Sequence, residues 1–222
     1  MEIIFFIIEL IGVIAFAMSG ALTAIRKELD IVGVIVLSIV AALGGGLIRD
    51  IILGMLPPNL FINPTYYIYE IVAVTIAVAC FIFAYFTHKY EIKQASTKMI
   101  LNIADAIGLS VFAIFGSKVA IDLNFGEYKL LLVFVGVITG VGGGATRDIL
   151  VGEIPIIFRK YLYATPTIIG TLFYVIMVDF IDGFLAIILG IAIILSLRIL
   201  AIIFKWDLPK IKMKEAPPPS NG

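Results

Sequence analysis

Cysteine, histidine and tryptophan each occur once in 222 residues, and Asp, Glu, Lys and Arg together make up 14%. With a single thiol the chain can close no internal disulfide and cannot share zinc between cysteines, so Cys80, inside an apolar run, reads as a small buried hydrophobe. His88, beside Lys89, reads as an interfacial loop residue; one histidine excludes the H-E-x-x-H zinc helix, and no nucleophile and acid are arranged around it. There is no G-x-x-x-x-G-K-[ST] phosphate loop either, because residues 142–147 are glycine-rich but lack the lysine and lie in an apolar stretch. The sequence thus carries no enzyme signature, and no cofactor or metal is expected. Sixteen Lys+Arg balance sixteen Asp+Glu with no long basic arm, which sets nucleic acid aside as a partner. The opening MEIIFFIIEL has Glu2 where a secretory signal would be positive and no small-residue cleavage site, so it is expected to be a retained first helix.

What the chain has instead is apolar length. Hydrophobic residues reach 62% with a mean hydropathy of +1.15, against about 45–50% in soluble domains. The few charges collect between stretches long enough to cross a hydrocarbon layer of roughly 30 Å. Apolar periods and breakers predict an all-α membrane protein with seven transmembrane helices, near residues 3–25, 31–54, 66–87, 99–121, 130–151, 162–180 and 183–204. The tail 207–222, ending in prolines 217 to 219, reads as disordered. With seven spans, only Arg49, Lys118 and Lys129 fall on the N-terminal side, and the other thirteen cations, Arg198 among them, fall on the opposite side. By the positive-inside rule the N-terminus faces out and the C-terminus is cytoplasmic, which an even number of spans would undo. Tyr66, Tyr67, Tyr69 and Trp206 suit an interfacial aromatic belt.

The chain also repeats itself. Residues 43–54, LGGGLIRDIILG, recur as VGGGATRDILVG over 141–152, and Pro57 and Pro155 follow at the same offset. After a four-residue insertion, Asn63-Pro64-Thr65 lies opposite Thr165-Pro166-Thr167; upstream, Gly12, Phe16 and Gly20 correspond to Gly108, Phe112 and Gly116. The organisation implied is a first three-helix repeat over 1–97, a second over 98–182, an added seventh helix over 183–206 and the tail over 207–222. Three spans per copy is an odd number, so the second copy must be inverted, as in many transport proteins.

Two readings of the glycines stand side by side. Three successive glycines, Gly44, Gly45 and Gly46 or Gly142, Gly143 and Gly144, weaken a helix by about 1 kcal/mol each and predict a bend or break that would line a wet cavity. The ladders Gly136-Gly140-Gly144 and Ser38-Ala42-Gly46 predict close helix packing, which needs neither Gly45 nor Gly143. The charges also have two readings. Arg49, Asp50, Arg147 and Asp148, with Glu9 and its counterpart Asp105, form either two polar clusters near the mouths of one pathway or structural ion pairs between helices. Lys118 either senses voltage or snorkels to the interface. Glu70 and Asp179 have no acidic counterpart and no readable role.

Two copies of G-G-G-x-x-R-D, each followed by a glycine four residues on, in a chain of this length, resemble the prokaryotic TRIC (trimeric intracellular cation) channel family, whose repeat is also described as glycine-transporter-like. The resemblance runs over residues 2–205. It implies a homotrimer in a lipid bilayer, each protomer with its own pore lined by the second and fifth helices, bent at the glycine triplets and flanked by Arg49, Asp50, Arg147 and Asp148. Permeant K+ or Na+, with limited discrimination, and bound lipid are the partners it implies. Animal members carry a lysine-containing segment where this chain has Arg-Asp, so their lipid regulation and calcium-linked physiology do not carry over. A potassium-permeable channel in the plasma membrane is the leading reading. A secondary transporter of a small neutral solute such as glycine is the alternative, since inverted repeats equally mark alternating access, and a membrane scaffold would leave the duplicated Arg-Asp pairs without a purpose.

Overall fold

Asp30 and Asp182 stand immediately before long apolar runs, and each accepts backbone N–H bonds from the first turn that follows: Asp30 from Gly33 at 2.8 Å, and Asp182 from Phe184 and Leu185 at 3.0 and 3.1 Å. These caps satisfy donors that a helix start leaves open. The computed structural model describes residues 2–87, 94–159 and 163–206. The expectations for His88, for the 207–222 tail and for cations such as Lys89, Lys160 and Lys212 fall outside them.

The helices are α1 (Glu2–Arg26), α2 (Ile31–Ile52), α3 (Asn59–Ile62), α4 (Pro64–Thr87), α5 (Gln94–Ala120, running into a π turn at Ile121–Phe125), α6 (Lys129–Leu150), α7 (Ile156–Arg159), α8 (Ala164–Met177) and α9 (Gly183–Phe204), with no strand among the described residues. Six of them, α1, α2, α4, α5, α6 and α9, are long and apolar enough to cross a membrane. The helix expected over 162–180 is the exception. Its regular part, α8, has 14 residues, about 21 Å at the helical rise, and is grouped with the shorter apolar helices.

The recurring glycine four residues after each Arg-Asp ends a helix. Gly54 and Gly152 have φ of +73° and +70°, left-handed geometry that side-chain-bearing residues rarely adopt. Around each the same pair of bonds forms: Gly54 N–H to Ile51 O and Met55 N–H to Asp50 O, then Gly152 N–H to Ile149 O and Glu153 N–H to Asp148 O. Both are Schellman caps that satisfy the last carbonyls of α2 and α6.

In the interior α1 packs on α2, α4 and α5; α5 packs on α6, α8 and α9; and α2 packs on α6. Small residues decide how close these helices come. Phe16 of α1 lies over Gly108 of α5, Phe112 of α5 lies against Gly12 of α1, and the two rings stack with centroids 5.6 Å apart. Gly20 fits against the Leu37–Ser38 backbone of α2, and its counterpart Gly116 fits against Thr139 and Gly136 of α6.

The glycine triplets do not interrupt their helices: α2 and α6 are continuous α-helix through Gly44–Gly46 and Gly142–Gly144, so the expected break is absent. They form a backbone crossing instead. A Cβ on Gly45 would run into the Thr139 carbonyl oxygen of α6, and one on Gly143 into the Ala41 carbonyl oxygen of α2. Gly45 and Gly143, which ladder packing did not seem to need, are the residues that packing needs most. Without bulk hydrophobic segregation between helices in lipid, close approach of this kind supplies the van der Waals contact that holds them together. Gly44 and Gly46 are looser, with the nearest neighbours of an added Cβ at 3.7 to 3.8 Å.

Candidate functional site

Each Arg-Asp pair does the same local job. The Arg49 guanidinium donates to Asp50 Oδ1 through Nε and Nη2 at 2.9 and 2.7 Å, while Asp50 Oδ2 accepts the Asn59 N–H at 2.9 Å. Arg147 reaches Asp148 Oδ1 through Nε at 2.9 Å and Nη2 at 2.8 Å, while Asp148 Oδ2 accepts the Ile156 N–H at 2.9 Å. Each aspartate therefore divides its two oxygens between the neighbouring guanidinium and the first turn of the short helix that follows.

Beyond that shared core the clusters differ. Arg147 also donates through Nη1 to Asp105 Oδ1 of α5 at 3.0 Å and to Ser19 Oγ of α1. Asp105 in turn has Arg198 of α9 on its other side, Nη2 to Oδ2 3.9 Å, and the Arg198 guanidinium lies over the Tyr163 ring at 4.2 Å. Arg147, Arg198 and Asp105 are exposed by 1%, 2% and 0%, so four charges on three helices share one dry interior. Two cations and two carboxylates cancel, which makes such burial tolerable.

The Arg49 cluster is less closed. Arg49 donates to the Tyr66 hydroxyl at 2.8 Å, and the Tyr69 hydroxyl donates to Glu9 Oε2 of α1 at 2.6 Å. Glu9, Arg49, Tyr66, Tyr69, Gly46 and Phe112 border a gap of about 10 Å³, near the smallest space that holds a water. On the far side of Glu9 and Tyr69 lies an open hollow of about 320 Å³ that also meets Glu2, Lys118 and Asp122. Glu9 and Ser19 are ten residues apart on α1, about 15 Å, so the clusters stand at different levels of the bundle with the glycine crossing nearby.

The residues singled out in sequence thus meet in two places: Glu9, Arg49, Asp50 and Gly46 in one, Asp105, Arg147, Asp148 and Gly144 in the other. Glu9 and Asp105 each take a tyrosine hydroxyl, from Tyr69 and Tyr163, but Asp105 is in addition ion-paired to Arg147 and faces Arg198. Lys118 pairs with Asp122 one turn on and lies 5.2 Å from the Phe5 ring centroid. Asp179, without a readable role in sequence, pairs with Lys129. Cys80 is only partly buried.

Sequence reading missed the role of three residues. Tyr66 and Tyr69 are not belt residues, although Tyr67 and Trp206 are exposed as a belt requires. Arg198, which sequence reading only counted among the cations of one side, is buried inside α9, flanked by SL and ILA, and an ionisable residue within a spanning segment was the available signal. Ser19 and Tyr163 carried no signal, because small hydroxyl residues and aromatics are common in membrane helices.

A family model described as Glycine transporter matches residues 6–86 and 102–179, most of the chain, in two segments. In solved structures, a TRIC cation channel studied for the basis of its conductance is 41% identical with a TM-score of 0.80, over 95% of this chain and 98% of that one. This protein belongs to the TRIC channel family. Its likeness extends to a prokaryotic TRIC channel crystallised in 0.5 M KCl, at 32% identity and a TM-score of 0.82 over 94% of this chain and all of that one. The trimeric intracellular cation channel orthologue from Rhodobacter sphaeroides, at 32% identity, has a TM-score of 0.80 over 90% and 98% of the two chains. Among curated relatives, the inner membrane protein YadS of Escherichia coli (strain K12) is 34% identical over 94% of this TRIC family member and 96% of its own length. The membrane protein YvgT of Bacillus subtilis (strain 168) is 32% identical over 91% and 94%. With six apolar helices and these relatives, the family member is a multi-pass membrane protein.

Proposed function

We propose that the protein is a cation channel, permeable to potassium, with one pore in each protomer of a homotrimer. The observation that carries this reading is the pair of buried Arg-Asp clusters set at two levels beside the α2–α6 crossing, in a chain 41% identical to a TRIC cation channel. An ionisable residue inside a spanning bundle is a functional-site hypothesis by default, with structural ion pairing as its rival. The pathway runs along α2 and α6, on the face bordered by Gly44 and Gly46, because the Gly45–Gly143 contact leaves no room between the helices themselves. Asp50, Asp148, Glu9 and Asp105 offset the arginine charge, and K+ or Na+ are the permeant ions.

In the same reading α8 crosses the membrane together with the turn after it, completing seven spans. The chain is then two inverted three-helix repeats, 1–97 and 98–182, with α9 added. The reciprocal Phe16–Gly108 and Phe112–Gly12 contacts support a two-fold relation between them. The N-terminus faces out, the C-terminus is cytoplasmic, the location is the plasma membrane, and lipid fills the crevices between protomers.

The experiment is single-molecule recording from purified protein in planar bilayers under asymmetric potassium chloride, repeated with Gly143→Leu. Discrete steps reversing near the potassium potential, lost in the variant, are expected. Silent bilayers, with proteoliposomes that accumulate labelled glycine to saturation, would replace this reading with the carrier.

A further inference from the structure

The two clusters are sealed by different means, and the difference points to a gate. At the Asp105 end the seal is a network of fixed charges on α5, α6 and α9, joined by the Ser19 hydroxyl of α1. At the Glu9 end a single hydrogen bond, Tyr69 Oη–H to Glu9 Oε2 at 2.6 Å, lies between the 320 Å³ hollow on one side and the 10 Å³ gap against Arg49 on the other. Glu9 and Tyr69 are the two residues that both spaces share.

The ionic balance of the hollow favours cations, although much of its wall is apolar, with Phe5, Phe6, Phe115 and Val119. Its ionic groups are Glu2, Glu9, Asp122 and Lys118, and Lys118 is already paired with Asp122 and held over the Phe5 ring. That leaves carboxylate in excess, with Glu9 the member that also faces the inner gap. A cation shedding water at this depth needs the Glu9 carboxylate as a replacement ligand. In the present arrangement the tyrosine hydroxyl occupies one of its oxygens.

Resting on the channel reading above, we propose that Tyr69 is a hydroxyl gate: it closes the pathway at the Glu9 end by holding the carboxylate that an entering cation must bind. Cation and hydroxyl compete for one acceptor, and when the cation wins the hydroxyl leaves and the hollow joins the gap. The ring is buried and flanked by two other rings, over which it has to slide. It stacks on Phe6 at 5.7 Å between centroids and meets Tyr66 edge-on at 5.5 Å. The Tyr66 hydroxyl stays bound to Arg49, so the second tyrosine keeps the guanidinium aside while Tyr69 moves. At the other end the residue opposite Glu9 in the repeat, Asp105, also meets a tyrosine hydroxyl, that of Tyr163, but Arg147 and Arg198 hold the carboxylate as well.

The test is potassium titration of single-channel conductance and open probability for the wild type, Tyr69→Phe, Glu9→Gln and the double variant, each checked for an unchanged gel-filtration profile. Tyr69→Phe keeps the ring and removes only the competitor. It is expected to raise open probability and to lower the half-saturating potassium concentration about tenfold, the weight of one hydroxyl-to-carboxylate hydrogen bond. Glu9→Gln keeps an acceptor for Tyr69 but removes the charge, and is expected to lower conductance. Adding Tyr69→Phe to Glu9→Gln should then change nothing further, as coupled residues require. Currents whose potassium dependence ignores Tyr69→Phe, or respond to it equally with and without Glu9, overturn the gate and leave the channel standing. Silent wild-type bilayers overturn both.

Discussion

Arg147 holds more of the structure than any other single side chain described. Its three guanidinium nitrogens serve Asp148, Asp105 and Ser19, on α6, α5 and α1. Replacing it with methionine fills similar volume but takes the nearest cation from two buried carboxylates, and losing one partner of a buried pair costs about 3–5 kcal/mol. Arg147→Met should therefore lower the thermal unfolding midpoint in detergent sharply. Arg49→Met should lower it less, since Arg49 pairs with one carboxylate and one tyrosine hydroxyl. Arg147→Lys is expected to rescue only part of the loss, because an ammonium group cannot spread its donors across three partners in the planar fork that arginine offers. An unfolding midpoint for Arg147→Met equal to that of the wild type would contradict the network.

At the scale of helices, the glycines separate into three physical classes that mutation can distinguish. Gly45 and Gly143 lie where one backbone touches another, Gly44 would meet its neighbours only at ordinary contact distance, and Gly54 and Gly152 have left-handed backbone. Gly45→Ala forces a methyl into the Thr139 carbonyl, which cannot turn away as a side chain would. Overpacking of this kind costs about 1–3 kcal/mol, read as a lower midpoint and a looser α2–α6 contact. Gly44→Ala has room and gains helix propensity, up to about 1 kcal/mol, so its midpoint should hold or rise. Gly54→Ala is expected to cost about 1 kcal/mol from left-handed strain alone while leaving the crossing intact. Thermal unfolding of the three variants side by side checks the order: Gly45→Ala lowest, Gly54→Ala next, Gly44→Ala at or above wild type.

For the whole molecule, the proposed seven spans, with the excess of cations they put on one side, make a topological prediction. A reporter joined after Trp206 should be active only in the form that works in the cytoplasm, and one joined before Glu2 only in the form that works outside. Both reporters on the same side would mean that α8 does not cross. Native mass spectrometry of protein released gently from detergent should find three chains per particle; a monomer that still conducts would separate the pore from the assembly.

The sequence alone determined that this chain lives in a membrane, that it is helical, that it carries one unit twice, and that its Arg-Asp motifs and the two upstream acids belong near one another. All of these follow from local chemistry: apolar length, the constant spacing of the motifs, and the cost of charge in hydrocarbon. The ends of α2 and α6 were nearly legible too, because a glycine at a fixed distance is what a left-handed cap requires. Only the tertiary structure decided which partner each charge takes. Glu9 and Asp105 match in the sequence repeat and each meets a tyrosine hydroxyl, yet only Asp105 also has Arg147 and Arg198 beside it, the second of them because α9 packs on α5. The glycine triplets show the same division. Their sequence permits both a break and a close crossing, and the choice depends on what lies opposite; here that is the carbonyl backbone of the other triplet's helix, close enough to reward an unbroken helix with contact that any side chain would remove.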